Sequence, residues 1–155
     1  MKKFILACFV FSTLFIVNTN AAKLPTENTK KLMAEAKKDV KYLTPKEFKS
    51  IIDNDEDFVQ LDVRENNQYG HGEIWTMEMV KLTRGYIEYK VEHAIKDKKA
   101  KIVVVCCSGK RALLAAQTLK KLGYKDVRYL KGGVNGWLSA GYPLDTVFGE
   151  LYLKH

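Results

Sequence analysis

The stretch IVVVCCSGKRAL, residues 102–113, decides how the rest of the chain folds. Ile102 to Val105 are an unbroken β-branched run, the pattern of a strand buried on both faces of a parallel sheet. The run ends at Cys106 and a short loop follows. Residues 111–122 (RALLAAQTLKKL) then carry apolar groups at helical spacing, and Gly123 is placed to end that helix. A strand, a tight loop and a helix start put the loop at the carboxyl edge of a sheet, where α/β proteins bind ligands. The backbone N–H groups of such a loop turn inward, and the positive end of the helix dipole adds to them. A sulfur there is expected to be held as thiolate, because cysteine pKa falls well below about 8.5 in such settings. Lys110 and Arg111 add two full positive charges, and Gly109 lets the backbone turn without a side-chain clash. The combination describes a nucleophile in an anion-binding cup.

Outward from this stretch, Val127 to Leu130 reads as a strand, Gly132-Gly133 as a turn and Val134 to Ala140 as a short helix. Upstream, Val40 to Leu43 is a short strand. Thr44 and Pro45 open a helix as N-cap and first helical residue, with Phe48, Ile51 and Ile52 as its buried face. Phe58 to Val63 is another strand, and residues 86–95 (YIEYKVEHAI) repeat apolar groups at helical spacing. Strands alternate with helices without internal repetition, which predicts an α/β domain with a central, mainly parallel sheet flanked by helices. Residues 26–39 predict a short amphipathic helix, capped by Thr26 with a thin stripe of Leu32, Met33 and Ala36. Its lysines and Pro25 give it the character of an extension over residues 23–39, with the domain over 40–145 and a tail over 146–155.

The chain has 155 residues, with 26 Lys+Arg against 18 Asp+Glu and a formal net charge of +8. Hydrophobic residues make up 46% and charged residues 28%, which excludes a disordered chain, a fibre and a multi-span membrane protein. Residues 1–22 have the layout of a secretory signal peptide: Lys2 and Lys3, an apolar run from Phe4 to Val17, and a small-residue end at Ala21-Ala22. The run is short of the ~20 residues that span a bilayer, so no stable membrane insertion is expected after cleavage. Cleavage removes Cys8 and leaves Cys106 and Cys107 in an exported, periplasmic protein. Adjacent cysteines pair badly because the ring they close is strained, so thiols kept in an oxidising compartment point to chemistry. His71, His93 and His155 are scattered without metal-ligand spacing, so no metal is expected. Lysine pairs at 37–38, 98–99 and 120–121 sit on separate elements without interleaved aromatics, which reads as solvated faces rather than a nucleic-acid surface.

The chain resembles a single-domain rhodanese, a sulfurtransferase. Cys106-Cys107-Ser108-Gly109-Lys110-Arg111 is similar to that family's six-residue active loop, Leu61-Asp62-Val63-Arg64 to its strand signature, and residues 130–137 (LKGGVNGW) to its late Gly-Gly…Trp motif. The resemblance implies a three-layer α/β fold without a cofactor. It also implies Cys106 as the nucleophile that takes sulfane sulfur from a small anionic donor, thiosulfate or polysulfide, and passes it to a thiol, a protein thiol or cyanide. By the same resemblance the N–H groups of Ser108, Gly109, Lys110 and Arg111 stabilise thiolate and persulfide, while Asp62 and Arg64 support the loop from behind. Related phosphatases have five residues between Cys and Arg, and here four separate Cys106 from Arg111, a smaller cup that favours sulfur over phosphate.

Two places depart from the family pattern. Cys107 stands where Arg is common; it is either a resolving thiol or a small side chain directed away from the cup. Residues 69–77 (YGHGEIWTM) replace the usual Gly-His-Ile-Pro-Gly-Ala, with Glu73 at the His position. Trp75 either walls the pocket or fills the core, with core filling the expectation, and Arg84 is a candidate second anion contact or a solvated surface residue. The alternative functions are a non-catalytic binding module of the same fold and a thiol redox protein cycling Cys106 and Cys107.

Overall fold

A computed structural model describes residues 25–153, so the expected signal peptide at 1–22 lies outside the described residues. The elements in chain order are α1 (Glu27–Asp39), β1 (Lys41–Leu43), α2 (Pro45–Asp53), β2 (Val59–Asp62), α3 (Asn66–Tyr69), β3 (Met79–Lys81), a 3-10 turn (Arg84–Tyr86), α4 (Ile87–Ala94), β4 (Lys101–Val105), α5 (Lys110–Lys121), β5 (Asp126–Leu130), α6 (Gly133–Ser139), β6 (Leu144–Thr146) and β7 (Gly149–Leu151). Five strands form one parallel sheet in the order β1-β5-β4-β2-β3. No described helix is long and apolar enough to cross a membrane.

The sheet separates two apolar layers, and the two-residue period of a strand decides which side chain joins which. From β4, Ile102 and Val104 enter the layer with Ala36, Val91, Ala116 and Leu119, whereas Val103 and Val105 enter the layer with Phe48, Val134 and Trp137. Helices thus cover both faces, giving the three-layer arrangement. Thr44 and Glu47 form a capping box at the start of α2, and the bond from the Thr44 backbone N–H to Glu47 holds the Glu47 carboxyl below the usual carboxylate range.

Three features go beyond the sequence reading. Helix α1 of the expected extension is docked: Ala36 is fully buried, α1 packs against α5, and Gln117 Nε2 donates to Asp39 Oδ2 at 3.1 Å. One small residue on a lysine-rich helix suffices because it lets two helices approach closely. The segment between the Phe58–Val63 strand and residue 86, for which the sequence predicts no element, contains α3 and β3, which span four and three residues and are too short to show a period. Across the expected boundary between domain and tail, β6 and β7 form an antiparallel ribbon, and Glu73 exchanges two backbone hydrogen bonds with Asp145 beside it.

The start of α6 approaches the loop after β4 most closely. Val134 N–H donates to the Cys106 carbonyl at 2.8 Å and Asn135 N–H to the Cys107 carbonyl at 2.9 Å. Gly133 permits this, with φ +59° and no side chain: a Cβ there would stand 2.0 Å from the Cys106 carbonyl oxygen. Gly133→Ala is therefore expected to destabilise the fold by about 3 kcal/mol, from left-handed strain plus a clash that only backbone movement relieves. Urea unfolding checks this, and a midpoint equal to the parent's would contradict the close approach.

Candidate active site

The alternation that places Val104 toward α5 places Cys106 there too. Its side chain is fully buried in the same apolar cluster as Val63, Ala112 and Leu113. Its Sγ accepts the Ala112 backbone N–H at 3.3 Å, in the first turn of α5. This differs from the expectation in two ways. The amide at hydrogen-bonding distance belongs to Ala112, one residue beyond the Ser108–Arg111 set. The sulfur is also enclosed rather than presented at a surface cup. The helix explains the first difference, since Ala112 is the third residue of α5 and its N–H has no intrahelical acceptor.

Cys107 points elsewhere and is half-buried; both cysteines are free thiols. Arg111 Nη2 donates to Cys107 Sγ at 3.3 Å and to Gln68 Oε1 at 2.7 Å, while its Nη1 donates to Glu65 Oε1 at 2.9 Å. The guanidinium thus bridges the loop to the start of α3 and contacts Cys107 rather than Cys106. Sequence reasoning missed Glu65 and Gln68. Their signal was a short polar run directly after a strand end that neighbours β4.

Asp62 and Arg64 lie behind this bridge, almost completely buried. Arg64 Nε donates to Asp62 Oδ2 at 2.8 Å, and Arg64 Nη1 donates to the Gly72 carbonyl at 2.8 Å. Tyr69 O–H donates to the Arg64 carbonyl at 3.0 Å. Burial, and secondarily the negative charge of Asp62, push the Tyr69 phenol up to about 12. The pair stitches the β2 end to the segment through Gly72, so the site's second wall is fixed from inside.

On the other side of the loop, Ser108, Gly109 and Lys110 border a cavity of about 360 Å³. Lys37 of α1 and Lys131 after β5 also line it, no carboxylate does, and Lys131 Nζ sits 4.8 Å from the Tyr42 ring centre. Cys106 is not among its lining residues. Gly109 has φ +80°, and a Cβ there would be 3.0 Å from the Gly132 nitrogen, so the loop lies against the Gly132 turn.

Two candidate residues are not brought to the loop. Arg84 donates to both Glu88 carboxylate oxygens at 3.0 and 3.1 Å and to Thr118 Oγ1 at 3.2 Å, far along α5 from Arg111. It is an ordinary packing arginine. Trp75 does not fill the core, because burial alternates along residues 74–77: Ile74 and Thr76 are buried at 2% and 6% exposure, Trp75 and Met77 exposed at 58% and 81%. The aromatic lands on the outer phase.

A family model for the rhodanese-like domain matches residues 44–140. YrkF of Bacillus subtilis, which bears a sulfur-carrier name, is 33% identical over 90 residues, 58% of this chain and 46% of that protein. The tRNA uridine(34) hydroxylase of Bartonella henselae is 30% identical over 116 residues, 72% of this chain and 38% of that enzyme. The chain thus spans less than half the length of these curated relatives. Among solved structures, the polysulfide-sulfur transferase homodimer from Wolinella succinogenes superposes with a TM-score of 0.64 at 26% identity, covering 83% of this chain and 90% of that one.

Removing one member of the buried Asp62–Arg64 pair should be severe. Asp62→Asn leaves a buried guanidinium uncompensated and is expected to cost about 3 kcal/mol by urea unfolding, with no loss if the pair is only ornamental. Tyr69 gives a pH signature. A phenol raised from 10.0 to about 12 in the folded state contributes stability that is complete below pH 10 and lost as pH rises toward 12. The stability gap between the parent and Tyr69→Phe should therefore shrink through that window, and a gap independent of pH would refute the raised phenol.

Proposed function

The chain belongs to the rhodanese-like domain family, and from that premise we propose that it is a sulfurtransferase carrying sulfane sulfur on Cys106. The observation that carries the reading is the position of the Cys106 sulfur at the carboxyl end of a central strand, bonded by a first-turn amide of α5. That amide and the helix dipole favour negative charge on sulfur, and they serve a thiolate and a persulfide alike. The Cys106 thiolate attacks the outer sulfur of thiosulfate or polysulfide. The donor's sulfur–sulfur bond breaks, its electron pair leaves with sulfite or the shortened polysulfide, and Cys106 persulfide forms. An acceptor thiolate or cyanide then attacks the outer persulfide sulfur and expels the Cys106 thiolate.

Lys37, Lys110 and Lys131 support an anionic donor, since a carboxylate-free cavity with three ammonium groups concentrates anions at the loop's flank. Likeness to a polysulfide-sulfur transferase supports polysulfide as the donor class. Likeness to the tRNA hydroxylase extends over little more than a third of that enzyme and bears on a shared domain rather than on its reaction. Export to the periplasm is part of the same reading and rests on residues 1–22 alone. Because Cys106 is enclosed, reaction requires the loop to open at its Arg111 edge.

A second reading rests on one contact, Arg111 Nη2 to Cys107 Sγ at 3.3 Å. Its exposure and its guanidinium neighbour make Cys107 the alternative nucleophile, able to resolve a Cys106 persulfide or to carry sulfur itself. Intact mass after incubation with thiosulfate or polysulfide separates the readings. A gain of one sulfur atom, lost in Cys106→Ser and kept in Cys107→Ser, is the expected result. The reverse pattern assigns transfer to Cys107, and no gain with either donor removes the enzymatic proposal. Alkylation of the unreacted protein should modify half-buried Cys107 before Cys106.

A further inference from the structure

The cavity of about 360 Å³ beside the loop is built where two helices and two strands meet on one face of the sheet. Met33 and Lys37 stand one turn apart on α1, and Lys110 and Leu113 one turn apart on α5. Each helix therefore offers one apolar and one charged side chain to the same space. Between them, Tyr42 of β1 and Tyr129 of β5 are partners in the sheet register, with ring centres 6.2 Å apart in an edge-to-face arrangement. Lys131 follows two residues after Tyr129, with its ammonium over the Tyr42 ring.

Two independent observations point to a ligand. Lys37, Lys110 and Lys131 line the cavity without a carboxylate, and no ion pair among the described residues includes any of them. Like charges gathered at one site repel one another, a cost that an anion removes. The second observation is Tyr129, which is 7% exposed and whose hydroxyl has no hydrogen-bond partner among the described residues. That oxygen is not one of the unpartnered polar atoms sealed from solvent, so the little surface the residue keeps, on the cavity it lines, includes it. Burial, and secondarily Tyr42, raises the Tyr129 phenol, which therefore stays protonated as a donor.

A bare inorganic ion uses only part of this site. The cavity has room for about a dozen waters at ~30 Å³ each, and thiosulfate, a five-atom ion, displaces a few and leaves the methionine and tyrosine walls wet. Cavities of this size with apolar walls and a few polar groups take organic molecules. We infer that this cavity binds an organic acid, one anionic group on an aromatic or aliphatic body. The acid lies among the three ammonium groups and accepts the Tyr129 hydroxyl, and the body lies against Met33 and Tyr42. Cys106 does not line the cavity, so the inference stands whether or not that sulfur is transferred.

Three probes separate charge from body: 4-methylbenzenesulfonate has both, sulfate only the charge, and methyl 4-methylphenyl sulfone only the body. Isothermal calorimetry on the unsubstituted protein at low salt should show saturable binding of the sulfonate, about tenfold tighter than either of the others. Raised salt should weaken it. The amide resonances of Gly109, Lys110 and Gly132 should shift in the same titration, because these residues line the cavity. Tyr129→Phe removes only a hydroxyl that bonds nothing in the protein, so binding should weaken about fivefold while the urea midpoint stays at the parent's. Lys37→Gln with Lys131→Gln should abolish the preference for the sulfonate over the neutral sulfone, and Lys37→Arg with Lys131→Arg should retain it. Phenyl phosphate and phenylacetate should bind within about tenfold of the sulfonate, since ammonium groups read charge more than shape. Failure to saturate, sulfate or the sulfone binding as tightly as the sulfonate, or resonances that stay still would each overturn the inference. So would binding unaltered in both the Tyr129→Phe and the double glutamine variants.

Discussion

The loop after β4 is held open in the electrical sense by the way its carbonyls are used up. Cys106 and Cys107 direct their carbonyl oxygens at the first amides of α6, at 2.8 and 2.9 Å. In a trans peptide the N–H lies opposite the C=O, so the amides of Cys107 and Ser108 must point away from α6. A loop that turns acceptors outward and donors inward is an anion receptor by construction, before any lysine is considered. That arrangement depends on the contact at Gly133, where any side chain would overlap the Cys106 carbonyl. The Gly-Gly turn and the cysteine loop are therefore one device, although some twenty-five residues separate them in the chain.

The cations near the loop divide into two groups with different duties. Arg111 is committed to Glu65, Gln68 and Cys107, so its charge is partly compensated and its geometry fixed. Lys37, Lys110 and Lys131 face a cavity without carboxylates and keep their charge available. Lys37 belongs to α1, which precedes the 44–140 stretch that the family shares. The docked helix therefore adds to the electrostatics of the loop as well as to the core.

What the sequence made legible was what repeats. The apolar run of β4, the helical spacing of α5 and the capped start of α2 each impose a period or a cap, and each element formed where that pattern lies. Cys106 was legible as a strand end for the same reason. Elements of three or four residues, β3 and α3, carry no period, so the polar run of Glu65 and Gln68 read as connection. Trp75 was misread because size suggests burial, whereas the alternation of an extended segment assigns sides regardless of size. Of the two readings of Arg84, the anion contact is not met, because the side chain, leaving the 3-10 turn, faces Glu88 and Thr118. The Ala112 amide was missed because the motif ends at Arg111 and the helix does not.

The enclosure of Cys106 and the accessibility of Cys107 place a constraint on sulfur transfer of the proposed kind. The loop's two edges differ greatly in strength. At the α6 edge, two backbone bonds of 2.8 and 2.9 Å and a glycine with no room for a side chain hold the chain. At the α3 edge the Arg111–Glu65 pair has side chains 31% and 54% exposed, a class of contact worth about 0–1 kcal/mol. Release of Arg111 breaks its contacts to Glu65, Gln68 and Cys107 and leaves the Ala112 amide on the Cys106 sulfur, since that bond belongs to α5. In the proposed transfer, an entering anion meets a sulfur that the α5 amide still bonds, and the edge beside Arg111 is the weaker of the two that enclose it.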